Sequence, residues 1–537
     1  MSVLANPSLP PSTGYVNPRR TFVRYGCYAL SVVLVATYGW LRSVFGNRLT
    51  VEQIFFHFDL GLNSLTGVDL YLVLDAVRWV ILPSVAIVAA LYLAGLLIER
   101  IAAAAAVKHL LLQPGLALAG KRLAAVYRKL TGLGFSLFLA LFTSLLFLYQ
   151  IELFHFVRIS LGEDQFSALY HAPELEQLTS RSTKKNLLLI YVESLEHIMG
   201  DANLVGRDAI APIKQLEGVE VPTFPAAPGT QWTIAGMFSS QCSAPLKPFF
   251  ANKFSSFATE DFFPGATCLG DVLRSAGYEQ YFLVGHHLAY SGLDKFYRTH
   301  GYHHLLGREE WKQRGVDAAE FKSWGMGLHD DMLLKQALAV VRDHDRKKAP
   351  FNITLITQDN HFPHGLPSPR CTEDEKRSDF PGVFHCNSRF LADFVKELNQ
   401  ESLLDNTVVI LMGDHPFMNS MKQSMQFRGN RYVYFKLLSP LEHPPTRAVM
   451  THFDVAPTVF DLLELTHGGD TRFGLGISLF SSITRDDYQR HLEAVTSESI
   501  LNKSPTYDAF WKPKTSSTRT LKQTSFSPPA PSGKTPD

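Results

Sequence analysis

Three stretches near the start of the chain, residues 26–41, 79–98 and 131–151, contain no Asp, Glu, Lys or Arg. With their flanks each can cross the ~30 Å hydrocarbon core as a helix, which predicts about three membrane spans within residues 25–152. From about residue 186 the pattern changes to short apolar runs bounded by polar turns. NLLLIYV (186–192), QYFLVG (280–285), FNITLIT (351–357), TVVILMG (407–413) and YVYFKLL (432–438) are rich in β-branched and aromatic residues and read as buried strands. Between them lie helical stretches such as DMLLKQALAVVRD (331–343) and SRFLADFVKELNQ (388–400). This alternation predicts an α/β domain over 186–485 with a central, largely parallel sheet covered on both faces. Residues 153–185 read as a juxtamembrane linker. Residues 486–537 read as a disordered C-terminal tail, whose last stretch, 501–537, is rich in Ser, Thr, Pro and Lys without apolar periodicity.

Charge adds an orientation. Overall, 51 Lys plus Arg stand against 50 Asp plus Glu, a balance that argues against a nucleic-acid partner. Locally the signs separate. Arg19, Arg20 and Arg24 precede the first span, and Arg100, Lys108, Lys121, Arg122, Arg128 and Lys129 fill the loop after the second, while the 46–69 loop carries Arg48 against Glu52, Asp59 and Asp69. Basic loops stay in the cytoplasm, so residues 1–24 are expected inside and everything after the third span outside. Cys27 falls within the first span; Cys242, Cys268, Cys371 and Cys386 fall in the exported part. Four exported cysteines allow three pairings, of which sequence proximity favours Cys242–Cys268 and Cys371–Cys386.

In a parallel sheet, chemistry collects where strands end. NLLLIYV runs into Glu193 and TVVILMG into Asp414 and His415, residue types that together suit a divalent cation. Taken singly, an acid after a strand is more often a helix cap, and an Asp-His pair a polar turn. In GTQWTIAGMFSSQC (229–242), Thr233 begins a run of small residues able to start a helix, whose free N–H groups favour an anion. Spacing alone does not separate a nucleophilic threonine from a helix cap.

The ordered motifs IYVESLE (190–196), QWTIAGMFSSQCSAPL (231–246), CLGDVLRSAGY (268–278), WGMGLHDD (324–331), TQDNHFPHG (357–365), GDH (413–415) and GLGISL (474–479) carry a resemblance. They resemble the phosphoglycerol transferases of osmoregulated periplasmic glucan synthesis, which belong with the lipoteichoic acid synthases in the alkaline phosphatase and sulfatase superfamily. The match covers about 186–480. The resemblance implies a multi-pass protein of a bacterial inner membrane with its catalytic, sulfatase-like domain in the periplasm. It implies one divalent metal ion, commonly Mn2+ with Mg2+ or Zn2+ as alternatives, held by Glu193, Thr233, Asp414 and His415, with Thr233 also the nucleophile. His361, Asp294 and His287 would contact the substrate. Phosphatidylglycerol in the membrane lipid would be the donor, a periplasmic glucan the acceptor, and diacylglycerol the leaving group. Asp330 and Asp331 match an acidic pair to which the resemblance assigns no role here. The synthases carry a tryptophan and an arginine where Ser291 and Leu293 stand, a departure in the substrate pocket. A phosphoethanolamine transferase would use the same nucleophile and metal on another head group. Cys242-Ser243-Ala244-Pro245-Leu246 starts like a sulfatase formylglycine motif but ends in Leu where Arg is required, so that route is closed. A non-catalytic glucan-binding scaffold in the membrane would neither bind metal nor consume phospholipid.

Overall fold

The computed structural model describes residues 18–45, 70–109, 122, 125–127, 129, 132–172, 184–247, 261–322, 327–347, 349–361, 365–377, 379–417, 431–465 and 471–512. The expected apolar spans form helices α1 (Pro18–Phe45), α2 (Leu82–His109) and α3 (Leu133–Gln150). The second span starts earlier, at Val73, and passes through a π turn, Val77–Ile81. All three are long and apolar enough to cross a membrane. Their contacts with one another bury small or hydroxylated residues, Ser31, Ser84, Ser136, Ala140 and Thr143, while Leu93, Phe138 and Leu141 point outward. That is the arrangement expected of helices surrounded by lipid, which gain little by burying leucine against each other. The 46–69 loop and most of the basic loop after α2 lie outside the described residues. Two residues past α3 the chain re-enters a helix, α4 (Leu153–Leu161).

The globular domain is organised on a seven-stranded sheet: β1 (Asn186–Val192), β2 (Val219–Glu220), β3 (Glu279–Val284), β4 (His304–Leu306), β5 (Phe351–Thr357), β6 (Thr407–Gly413) and β7 (Phe435–Leu437), in the order β2-β7-β6-β1-β5-β3-β4. The five strands from β6 to β4 are parallel; at one edge β7 pairs antiparallel with β6, and β2 antiparallel with β7. Successive residues of β1 enter opposite cores: Leu187, Leu189 and Tyr191 one, Leu188, Ile190 and Val192 the other. Both faces are covered, so the strand is apolar at every position from Leu187 to Val192 rather than at every second one. Helices α5 (Thr233–Cys242) and, beyond α6 (Asp330–Lys347) and α7 (Asp379–Gln400), α8 (Val455–Leu462) contribute to the first core. Helices α6 and α7 supply the second through Leu333, Ala337, Val341, Leu391, Val395 and Leu398, spaced at three to four residues.

Disulfides join Cys242 to Cys268 and Cys371 to Cys386, the pairing favoured by proximity in sequence. The first fastens the C-terminal end of α5.

One boundary is corrected. The part of the expected disordered tail up to residue 512 is ordered, forming α9 (Arg485–Val495), a 3-10 turn (Glu498–Leu501) and α10 (Pro505–Ala509). Its few apolar residues reach distant partners: Tyr507 packs edge-on against Phe166 at 5.4 Å and lies 5.1 Å from Phe263. Contacts so remote in sequence leave the local composition polar. Residues 513–537 of that tail lie outside the described residues.

Candidate functional site

The neighbouring parallel strands β1 and β6 are in register with Val192 opposite Gly413. The next residue of each strand, Glu193 and Asp414, therefore emerges side by side at the C-terminal edge of the sheet, with His415 following. All three are buried, and donor atoms of the three lie within 4.8 Å of one another. Thr233 opens α5, with Trp232 before it in extended conformation, and its Oγ1 stands 3.4 Å from His415 Nε2. Nε2 is also 3.3 Å from Glu193 Oε1 and 3.4 Å from Asp414 Oδ2.

The surrounding hydrogen bonds select which atoms stay bare. Asp414 Oδ1 accepts from the backbone N–H groups of Ser194 and His415 at 2.8 and 2.9 Å. Ser194 reaches this position with φ 56°, in the left-handed region. Glu193 Oε1 accepts from Ser194 Oγ at 2.7 Å. The carbonyl of Pro416 lies 2.8 Å from His415 Nδ1 and accepts its proton's hydrogen bond, so Nε2 is the ring atom turned to the carboxylates and offers a lone pair to a cation once its own proton is lost. Among the described residues, Glu193 Oε2 and Asp414 Oδ2 are buried without hydrogen-bond partners. Two orphaned carboxylate oxygens, one imidazole nitrogen and one hydroxyl form a mixed oxygen and nitrogen donor set that fits a divalent cation.

The electrostatics agree. Burial, then the Glu193 charge, pushes Asp414 up to about 7. Burial opposes ionisation of His415, but Asp414 and then Glu193 outweigh it and raise the imidazole to about 9. Burial pushes Glu193 up as well, yet its hydrogen bond to His415 and the charge there bring it down to about 2. The cluster thus retains protons that a cation must displace. Cation affinity should rise with pH through the interval from about 7 to about 9 and level off above it. The rise is at most about tenfold per unit for each proton released. Calorimetric titration with Mn2+ at pH 8, in buffers of different ionisation enthalpy, should count released protons; pH-independent affinity with no proton release would contradict this assignment.

The remaining residues singled out from sequence occupy loops at the same sheet edge. His361 follows β5, and its Nε2 lies 3.3 Å from the Tyr290 hydroxyl on the loop after β3. His287 and Asp294 belong to that same loop and the helix it enters. His287 Nδ1 accepts from Ala289 N, and Asp294 Oδ1 is buried without a hydrogen-bond partner among the described residues. Neither hydrogen-bonds with the Glu193, Thr233, Asp414 and His415 cluster among the described residues. Asp330 gains a structural explanation: its carboxylate accepts from Gln358 N at 2.7 Å, Asp359 N at 2.6 Å and Asn387 Nδ2 at 2.8 Å. Asp359 in turn holds Lys322 at 2.7 Å. This buried network fixes the 357–361 turn that carries His361. Asp331 points away from it, to Arg370 at 2.6 Å.

Sequence reasoning missed two supports. A Cβ at Gly236, one turn into α5, would lie 1.8 Å from the carbonyl oxygen of Asp414. The helix that carries Thr233 therefore rests directly on the strand end that carries Asp414. Buried His452 donates from Nε2 to that same carbonyl at 2.8 Å. Burial holds its imidazole down near 3, so it remains neutral.

A family model described as Sulfatase matches residues 185–465. Phosphoglycerol transferase I of Citrobacter koseri is 34% identical over 334 residues, covering 60% of this chain and 42% of that protein. Phosphoglycerol transferase I of Escherichia coli O6:K15:H31 is 32% identical over 365 residues, covering 65% and 45% respectively. The chain thus spans less than half the length of these curated relatives. Among solved structures, the lipoteichoic acid synthase LtaP of Listeria monocytogenes overlaps 63% of this chain and 97% of its own, with TM-score 0.46 and 16% identity.

Proposed function

Because the chain belongs to the sulfatase family, we propose that it is a membrane-anchored transferase using Thr233 to move the phosphoglycerol group of phosphatidylglycerol to a periplasmic glucan, with diacylglycerol as the first product. The observation that carries this reading is the Thr233 hydroxyl, at the start of a helix and 3.4 Å from His415 Nε2, beside two carboxylate oxygens with no hydrogen-bond partner among the described residues. The two relatives named phosphoglycerol transferase I support the choice of group transferred. The formylglycine chemistry of sulfatases does not suit this chain, since Cys242 is bonded to Cys268.

In this mechanism Glu193, Asp414, His415 and Thr233 would hold one divalent cation, Mn2+ being our expectation. The cation would lower the pKa of a hydroxyl and neutralise negative charge gathering on phosphate oxygens. The free N–H groups of the first turn of α5 favour the same anion. Thr233 Oγ1 attacks phosphorus, the bond to the diacylglycerol oxygen breaks, and that oxygen leaves with a proton. His361, braced by the Asp330–Asp359 network, would deliver the proton or bind the glycerol. His287 and Asp294 would line the glycerol side of the cleft. A glucan hydroxyl then attacks the phosphothreonine, releasing Thr233 and completing the transfer. We place the domain on the periplasmic face of a bacterial inner membrane, where donor lipid and glucan meet.

Purified full-length protein, given Mn2+ and head-group-labelled phosphatidylglycerol, should transfer label to an added β-glucan and release diacylglycerol. Transfer from labelled phosphatidylethanolamine instead would reassign the donor. Consumption of neither lipid would overturn the reading.

A further inference from the structure

Beyond α3, the described residues leave few large apolar side chains exposed: Phe154, Val157, Leu161 and Leu204. Three of these four lie on the single nine-residue helix α4. Positions 154, 157 and 161, together with Arg158, follow the i, i+3, i+4, i+7 spacing of one helix face. The other side of α4 is docked on the domain. Ile159 is buried and its carbonyl accepts from Lys503 N at 3.2 Å, while His155 Nε2 meets Glu498 Oε2 at 2.9 Å. Arg158 has no acidic partner among the described residues; its guanidinium meets His155 Nδ1 at 3.3 Å.

Position relative to the third span identifies what covers this face. The candidate span ends at Gln150, and only Ile151 and Glu152 intervene. Two residues reach at most ~7 Å. The headgroup layer outside the ~30 Å hydrocarbon core is itself about 5–8 Å thick on each side. Helix α4 therefore begins inside that layer. Glu152 adopts the left-handed conformation, φ 60°, and ends the continuous helix. A short helix with one face on protein, and on the other three apolar side chains plus an arginine that has no acidic partner among the described residues, has the composition of an interfacial helix.

We propose that α4 is a lipid-docking helix. Phe154, Val157 and Leu161 enter the acyl boundary of the leaflet on the domain's side, Arg158 pairs with lipid phosphate, and the 498–503 segment transmits this anchorage to the domain. The proposal rests on the membrane span and the exposed face, and holds whatever reaction the domain catalyses.

The test uses the full chain with Cys27→Ser, reconstituted in nanodiscs of mixed phosphatidylglycerol and phosphatidylcholine. Nitroxide labels are placed on single cysteines substituted at 154, 157 and 161. Leu141, outward on α3, serves as a lipid-exposed reference and Arg377, on the domain surface, as a water-exposed one. All three α4 labels should collide more with oxygen than with a water-soluble nickel chelate, as at Leu141. Preferential nickel collision, as at Arg377, would show a face turned to water and overturn the proposal. Shielding from both relaxants would show a covering protein, a second copy included, and would overturn it equally.

Discussion

Thr233→Ala should abolish phospholipid turnover while leaving a folded protein that still binds its cation. The side chain is small and buried, and its hydroxyl meets only His415 Nε2 among the described site residues. Its removal should therefore cost little stability. Glu193, Asp414 and His415 remain to hold the cation, so Mn2+ titration should retain much of its affinity. What disappears is the atom that, in the proposed mechanism, receives the phosphoglycerol group. Removing a covalent nucleophile elsewhere costs on the order of 10⁶-fold in turnover, and the same scale is expected here. Thr233→Ser restores a hydroxyl at the same place and should recover measurable activity. Substantial turnover by Thr233→Ala would mean that another residue attacks phosphorus.

The second large effect is expected from Gly236→Ala, which removes no chemical group. In an unconstrained helix this change stabilises, by about 1 kcal/mol. Here the added methyl would stand 1.8 Å from Asp414 O and 2.8 Å from the carbonyl carbon. Both are backbone atoms, fixed by β6 and by the hydrogen bond from His452. Either α5 moves away from the strand end or the Asp414 turn shifts, and both separate Thr233 from His415. Overpacking of this kind costs typically 1–3 kcal/mol. A displacement near 1 Å at a reacting centre can cost about 10²-fold in rate. Lower thermal stability together with a loss of that order is the expected outcome. A variant with raised stability and full turnover would show that the helix is free of the strand end.

The strands most legible in the sequence were those covered on both sides. β1 and β6 show as nearly continuous apolar runs because successive residues enter one core or the other, whereas β5 shows through Phe351, Ile353, Leu355 and Ile356, set around the buried Asn352 and Thr354. β2 and β4, of two and three residues, are too short to form such a run. The ligand-type residues were legible for a related reason: Glu193, Asp414 and His415 stand where an apolar run stops and a polar turn begins. Their convergence was not legible, because it depends on β1 and β6 being neighbours with Val192 opposite Gly413. Gly236 and His452 carry no local signal. A glycine in a run of small residues and a histidine before a helix look ordinary until the Asp414 carbonyl is found between them. The ordered segment after 485 was hidden by its polar composition, since Tyr507 finds its aromatic partners far away in sequence.

The central claim, that Thr233 becomes the covalent carrier of the transferred group, is tested most directly by intact-protein and peptide mass spectrometry. The enzyme would be quenched after incubation with phosphatidylglycerol and Mn2+ in the absence of any acceptor. The account predicts a glycerophosphate adduct on the peptide containing Thr233, absent from Thr233→Ala and removed when β-glucan is added before quenching. An adduct mapped to any other residue, or lipid turnover by an enzyme that acquires none when acceptor is withheld, would contradict it.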